Sequence, residues 1–216
     1  MKINEQVAEK VSESLLQIKA IKLDNANPYT WASGMKSPIY CDNRITLSYP
    51  KIRTYIKQQF ANVIRDEFEN AELVAGVATG AIAQGVLVAH EMALPFAYVR
   101  SSSKAHGLTN QIEGVVQKGQ NVVVIEDLIS TGKSSLAAVE ALRAAGCNVV
   151  GMVAIFTYNL PIATENFEKA GCKLVTLADY DTMIRIAANY KYVSESDLQS
   201  LGEWKENPQA WSKSRK

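Results

Sequence analysis

The sequence predicts an α/β fold: a central, mostly parallel sheet with helices on both faces, and a small N-terminal hood. Three observations carry that reading. From residue 73 the chain alternates short apolar runs with longer segments of helical pattern; the runs are LVAGVA (73–78), PFAYVR (95–100), NVVVIED (121–127), NVVGMVAIFTY (148–158) and KLVTLA (173–178). Runs that stay apolar without alternation belong to strands buried on both faces, the setting of a parallel sheet under two helical layers. Residues 1–45 do not keep this rhythm, so they form a separate cap over one sheet edge.

Each element follows in order. Val7, Val11, Leu15 and Ile18 recur at helical spacing, which predicts an amphipathic helix over 4–20. NPYTWASGMKSPIYCDNR (27–44) is polar, aromatic and turn-rich. Ser48 is expected to cap a helix reaching Phe68, with Pro50 in its first turn. After the strand at 73–78, TGAIAQGVLVAHEM (79–92) reads as a helix, and SSSKAHGLTNQIEG (101–114) as a long loop. Ser130 or Thr131 is expected to open a helix to Ala145, which Gly146 ends. Residues 161–170, 179–190 and 194–201 read as helices, and 202–216 as a loosely packed tail. The expected division is a hood over 1–45, a core over 46–202 and a C-terminal tail over 203–216.

Composition narrows the function. A formal charge of +1, from 23 basic and 22 acidic residues, gives no electrostatic footprint for duplex nucleic acid. Three scattered cysteines and two histidines exclude a structural zinc site and suit reduced thiols in a cytosol. Acidic residues interrupt the N-terminus, and the longest apolar stretch, Leu73 to Ala89, contains Thr79, Gln84 and three glycines. Neither a secretory signal nor a membrane span is expected, and the protein is read as cytoplasmic.

Ligands of open α/β sheets bind beyond the carboxyl ends of the strands. The chemistry is therefore expected just after Ala78, Arg100, Asp127 and Tyr158. The informative segment is VVVIEDLISTGKSS (122–135): an apolar strand, two adjacent carboxylates, a loop of small residues and a helix start. The unpaired N–H groups of Ser130, Thr131, Gly132 and Lys133, with the helix dipole, would cradle a phosphate. Ser130, Thr131 and Ser134 add hydroxyls. Gly132-Lys133-Ser134 also ends a Walker A pattern, but the glycine that pattern needs five residues earlier is Asp127. The pair Glu126 and Asp127 has a better use, holding the ribose hydroxyls of a 5-phosphoribosyl group and opposing positive charge on its ring.

These residues resemble the phosphoribosyl diphosphate (PRPP) motif of type I phosphoribosyltransferases. SGMKSPIYCDNR (33–44) and RSSSKAHG (100–107) make the resemblance that of the orotate phosphoribosyltransferase family, from about residue 4 to residue 200. The resemblance implies the type I phosphoribosyltransferase fold and transfer of phosphoribose from PRPP to orotate with Mg²⁺. It assigns PRPP to Arg100, Lys104, His106 and the run Glu126, Asp127, Leu128, Ile129, Ser130, Thr131, Gly132, Lys133 and Ser134. Lys104, His106 and Asp127 would be catalytic, with His106 a candidate proton donor to the leaving diphosphate. The backbone of 75–80 would help hold diphosphate. Orotate would meet Lys36, the backbone of Tyr40 and Cys41, and Ser130.

The sequence departs from the family pattern at three places. Ser101 stands where family loops often carry a second lysine, Ala32 where some members have a lysine, and Tyr158-Asn159 where some have an arginine. The orotate carboxylate is left to Lys36 or Arg44, and Arg44 could equally pair with Asp42. The resemblance also implies a homodimer whose 100–107 loop serves the partner's site. Two other readings compete. A purine transferase of the same fold is disfavoured by residues 33–44. A non-catalytic PRPP sensor is disfavoured by the balanced charge and the Arg100–Lys104–His106 loop.

Overall fold

The structure, a computed structural model, describes residues 4–31, 33–101 and 111–215. Helix α1 spans Glu5–Gln17, and the Asn4 side chain caps it by accepting from the Val7 N–H. The hood follows as β1 (Ile21–Leu23), β2 (Tyr29–Thr30), β3 (Lys36–Ser37) and β4 (Ile39–Cys41). β1 pairs antiparallel with β4, and β2 with β3. A 3₁₀ turn over Asn43–Ser48 leads into α2 (Pro50–Glu67). Ser48 does not cap α2, as expected from sequence. It closes the 3₁₀ turn, where the Tyr49 N–H bonds to Thr46 O, and Tyr49 takes the cap position without a side-chain bond. The fixed φ of Pro50 starts the helix instead.

The core then runs β5 (Leu73–Val77), α3 (Ile82–Met92), β6 (Phe96–Val99), β7 (Ile112–Glu113), β8 (Asn121–Ile129), α4 (Lys133–Ala144), β9 (Asn148–Thr157), α5 (Pro161–Lys169), β10 (Leu174–Asp179) and α6 (Tyr180–Asn189). Helices α7 (Glu195–Glu206) and α8 (Pro208–Lys213) close the chain. Six strands form one sheet in the order β10-β9-β8-β5-β6-β7. All neighbours are parallel except β6 and β7.

Alternation along β8 builds two cores. Val123 and Ile125 pack with Leu15 of α1, Phe60 of α2 and Val88 of α3. Val122 and Val124 pack with Val139 and Leu142 of α4 and Phe167 of α5. Each fully buried aliphatic side chain contributes about 1.5–3 kcal/mol, so helical layers on both faces are required to cover this strand. The continuous apolar run seen in the sequence is the sum of the two faces.

Three local expectations are corrected. β8 extends two residues past Asp127, because Leu128 and Ile129 pair with Phe156 and Thr157 of β9. α4 opens at Lys133, with Gly132 at its cap in left-handed backbone (φ 76°), not at Ser130 or Thr131. The tail is not loose: Trp204 of α7 is fully buried and Trp211 of α8 is 4% exposed. Gly146 ends α4 as the sequence predicts, with φ 89°.

Candidate active site

A cavity of about 320 Å³ opens at the carboxyl ends of β5 and β8. Val77, Ala78, Thr79 and Gly80 of the β5–α3 turn form one wall, and Glu126 to Leu128 with Ser130 to Gly132, Ser134 and Ser135 form the other. Hollows of about 340 and 450 Å³ beside α5 and α2 are as large. Neither is framed by the two loops that the topology presents for ligands.

The β8–α4 turn has the geometry of a site that could cradle an anion. Among the described residues no side chain caps α4, which leaves its first-turn N–H groups available to a ligand. The left-handed backbone at Gly132 admits only glycine comfortably, and a Cβ there would stand 2.6 Å from the Phe167 ring of α5. α5 braces the turn a second time, through Asn166 Nδ2 donating to Thr131 O at 2.9 Å. Ser130, Thr131, Gly132 and Ser134 line the cavity as the sequence reading expects, and Lys133 does not. Ile129 does not either. Its side chain is fully buried in the core, and its carbonyl accepts the Tyr158 N–H at 3.0 Å.

The two acids differ in environment. Glu126 is 5% exposed, with Oε2 accepting from Ser135 Oγ at 2.8 Å and Oε1 from the Asp127 N–H at 2.9 Å. Burial first, then the neighbouring Asp127 charge, hold its carboxyl well above the usual carboxylate range. A side-chain hydrogen bond with Asp127 acts in the same direction. Asp127 is half-buried, and its carboxylate lies directly against Gly80 at the cavity. Glu126 therefore retains its proton more readily than a solvated acid does, and Asp127 is the less buried acid of the two at the cavity.

The remaining expected residues are spread around this cavity. Arg100 directly follows β6, and its Nη1 lies 3.5 Å from Glu113 Oε1 of β7; it is not among the residues lining the cavity. Lys104 and His106, expected to be catalytic and to bind diphosphate, lie outside the described residues. In the hood, Lys36 Nζ donates to Thr30 Oγ1 at 3.0 Å. Tyr40 and Cys41 lie on β4 opposite Lys22 and Ile21. Flanking bonds from the Asp42 N–H to Ala20 O and the Asp24 N–H to Pro38 O make Tyr40 the ladder-bonded residue, so Cys41 directs its backbone away from β1. Arg44 pairs with Asp42 through two contacts, 2.7 and 2.9 Å, which answers the alternative left open by sequence.

Several supporting residues escaped the sequence reading. Buried Asn43 donates from Nδ2 to Asp127 O at 2.6 Å, fixing the hood to β8. Ser135 and Asn166 act on Glu126 and Thr131 in the ways described above; Gly80, read from sequence as part of the turn that would hold diphosphate, also lies against Asp127. Among the described residues no three His, Cys, Asp or Glu side chains converge into a metal cage. Asp127 is the carboxylate available at the cavity, since both Glu126 oxygens accept hydrogen bonds within the chain. One carboxylate suits Mg²⁺, which takes one or two and leaves the rest of its shell to water and substrate oxygens. Among the described residues no helix is long and apolar enough to cross a membrane.

Comparison with known proteins places this geometry. A family model for the phosphoribosyl transferase domain matches residues 45–195. An orotate phosphoribosyltransferase of Porphyromonas gingivalis is 57% identical over 201 residues, covering 93% of this chain and 96% of that protein. One of Listeria monocytogenes serotype 4b is 53% identical over 207 residues, covering 96% and 99%. The crystal structure of orotate phosphoribosyltransferase from Aeropyrum pernix superposes with a TM-score of 0.74 at 27% identity, covering 85% of this chain and 99% of that one.

Proposed function

The chain belongs to the orotate phosphoribosyltransferase family of phosphoribosyl transferases, and on that premise we propose how its residues divide the reaction. The enzyme transfers the 5-phosphoribosyl group of PRPP to orotate, giving orotidine 5′-monophosphate and diphosphate in pyrimidine synthesis. Diphosphate leaves C1 of the ribose with the bonding electron pair, and a ring nitrogen of orotate supplies the pair for the new bond. The protein must hold a ribose phosphate, oppose positive charge at the ribose ring, accept a highly charged leaving group and orient the base.

One observation carries the assignment: a single cavity joins the uncapped start of α4 to the β5–α3 turn, with Asp127 between them. The 5-phosphate binds the N–H groups and hydroxyls of the 130–135 turn, where the helix dipole favours an anion. Asp127 accepts from the ribose and stabilises charge at its ring, as preorganised carboxylates do. Glu126 stands behind it, held by Ser135. Diphosphate lies along the Ala78–Gly80 backbone. Arg100, Lys104 and His106 meet it, Arg offering a planar fork and Lys a point charge, and His106 donating a proton to it. Orotate lies under the hood, against Lys36, the Cys41 backbone and Ser130. Mg²⁺ bound with PRPP, beside Glu126 and Asp127, would neutralise the diphosphate charge.

Arg100 pairs with Glu113 of its own chain, Nη1 to Oε1 at 3.5 Å. The resemblance to the family supports reading the protein as a homodimer in which the 100–107 loop serves the partner's site, under a two-fold axis. The three unpaired cysteines support a reducing, cytoplasmic setting. The test is to mix the protein with PRPP, Mg²⁺ and orotate and follow orotate absorbance. Loss of absorbance only when all three are present supports the reading; no loss with all three present overturns it.

A further inference from the structure

The hood hairpin is too small to fix its own position. β2 and β3 have two residues each, and a two-stranded hairpin of that size is marginal in water. Its place is set by what packs on it, and that comes from the other end of the chain. Ser212 of α8 accepts the backbone N–H of Lys36 at 2.8 Å, across 176 residues of sequence. The ladder leaves that N–H for Ser212, because Trp31 bonds to Met35 and the Thr30–Lys36 pair falls in the non-bonded register.

A second set of contacts lies deeper. Trp31 of the hood stacks on Tyr158 with centroids 5.3 Å apart, and donates its indole N–H to Ile39 O. Trp204 of α7 stands edge-on to both rings, 5.9 Å from Trp31 and 5.5 Å from Tyr158. Tyr158 is bonded through its N–H to Ile129, at the end of β8. α7 and α8 are themselves fixed, since the Tyr180 hydroxyl donates to Leu201 O and Trp211 Nε1 to Ser200 Oγ. Neither Trp204 nor Ser212 lines the phosphate cavity.

We propose that the C-terminal helix pair positions the base pocket: Ser212 sets where Lys36 stands, and Trp204 holds the Trp31–Tyr158 pair that seats the hood beside the end of β8. This rests on placing orotate under the hood. Ser212 and Trp204 are positioning residues and touch no reacting atom. They act on orotate and leave the PRPP cradle alone, because the 130–135 turn is braced separately by α5.

The experiment measures both Michaelis constants, each at saturating co-substrate, for the parent, Ser212→Ala and Ser212→Thr, with thermal melts. Losing one hydrogen bond of about 1 kcal/mol corresponds to about a fivefold change. Ser212→Ala is expected to raise the KM for orotate about fivefold, leave the KM for PRPP within about twofold, and keep Tm within a few degrees. Ser212→Thr, which retains the hydroxyl, restores the orotate KM. An unchanged orotate KM in Ser212→Ala, or a PRPP KM that rises in step with it, overturns the proposal. Lys36→Ala in the same series separates the two layers. If it leaves the orotate KM unchanged, the base is not under the hood; if it alone responds, only the role of the tail is lost.

Discussion

The α-carbon of Gly80 lies directly against the carboxylate of Asp127, so that a methyl group added there would overlap Oδ2 and stand 2.8 Å from Oδ1. The β5–α3 turn thus sets the position of the acid on β8. Gly80→Ala must push the carboxylate aside. A displacement of about 1 Å at a reacting centre can cost about 10²-fold in rate, so kcat/KM is expected to fall by about that factor. Gly80 is half-buried in a turn, and Tm should stay within a few degrees. Steady-state kinetics with a melt check this; unchanged kinetics would mean that Asp127 does not need its observed position.

Asp127→Asn keeps the shape and removes the charge. Removing one preorganised electrostatic group typically costs about 10²–10³-fold in kcat. A loss of that size is expected, with the fold retained as judged by circular dichroism. Turnover at the parent rate would show that the acid does not oppose charge on the ribose.

Glu126 makes a prediction about pH. Its folded-state pKa is raised, by burial and by the Asp127 charge, so the folded chain binds this proton more tightly than the unfolded chain does. The stabilisation is fully present below the unfolded value of about 4.3. It is lost as pH rises through the raised folded value. Glu126→Gln imitates the protonated form at every pH. Its Tm should match the parent's near pH 4 and exceed it at neutral pH, in melts followed from pH 4 to 8. A variant less stable than the parent across pH 5–8 would contradict the cause given for the shift.

Lys36→Ala should raise the KM for orotate by about tenfold or more, the scale of a charge-assisted hydrogen bond worth about 1.5–3 kcal/mol. The PRPP KM should stay near the parent value. Lys36 is half-buried, and its side chain bonds to Thr30 Oγ1 on the neighbouring strand, so stability should change little. Equal effects on both substrates would move Lys36 out of the base pocket.

Much of this molecule is legible in the chain because its signals are local. The apolar runs at 122–125 and 152–156 announce a sheet buried on both faces, and Gly132 with its small neighbours announces the tight turn that opens α4. The missed features are contacts between segments far apart in sequence. Asn43 reaches Asp127 across 84 residues, and Lys36 reaches Ser212 across 176. The polar, charged tail reads as loose because its burial depends on Trp204 finding ring partners in the body and on Trp211 packing against α7, with its indole N–H on Ser200. Ser48 reads as a cap because its residue type fits, while the preceding 3₁₀ turn, set by Asn43 and Thr46, takes that serine first. The acid pair was readable as chemistry, but its inequality was not, since Ser135 and the surrounding burial create it in three dimensions.

The most direct measurement is a crystal structure of the protein with PRPP and Mg²⁺. The 5-phosphate is expected within hydrogen-bond distance of the N–H groups of the 130–135 turn, with a ribose hydroxyl on Asp127 and diphosphate along Ala78–Gly80. A 5-phosphate held anywhere else, with Asp127 turned away from the sugar, would contradict the assignment.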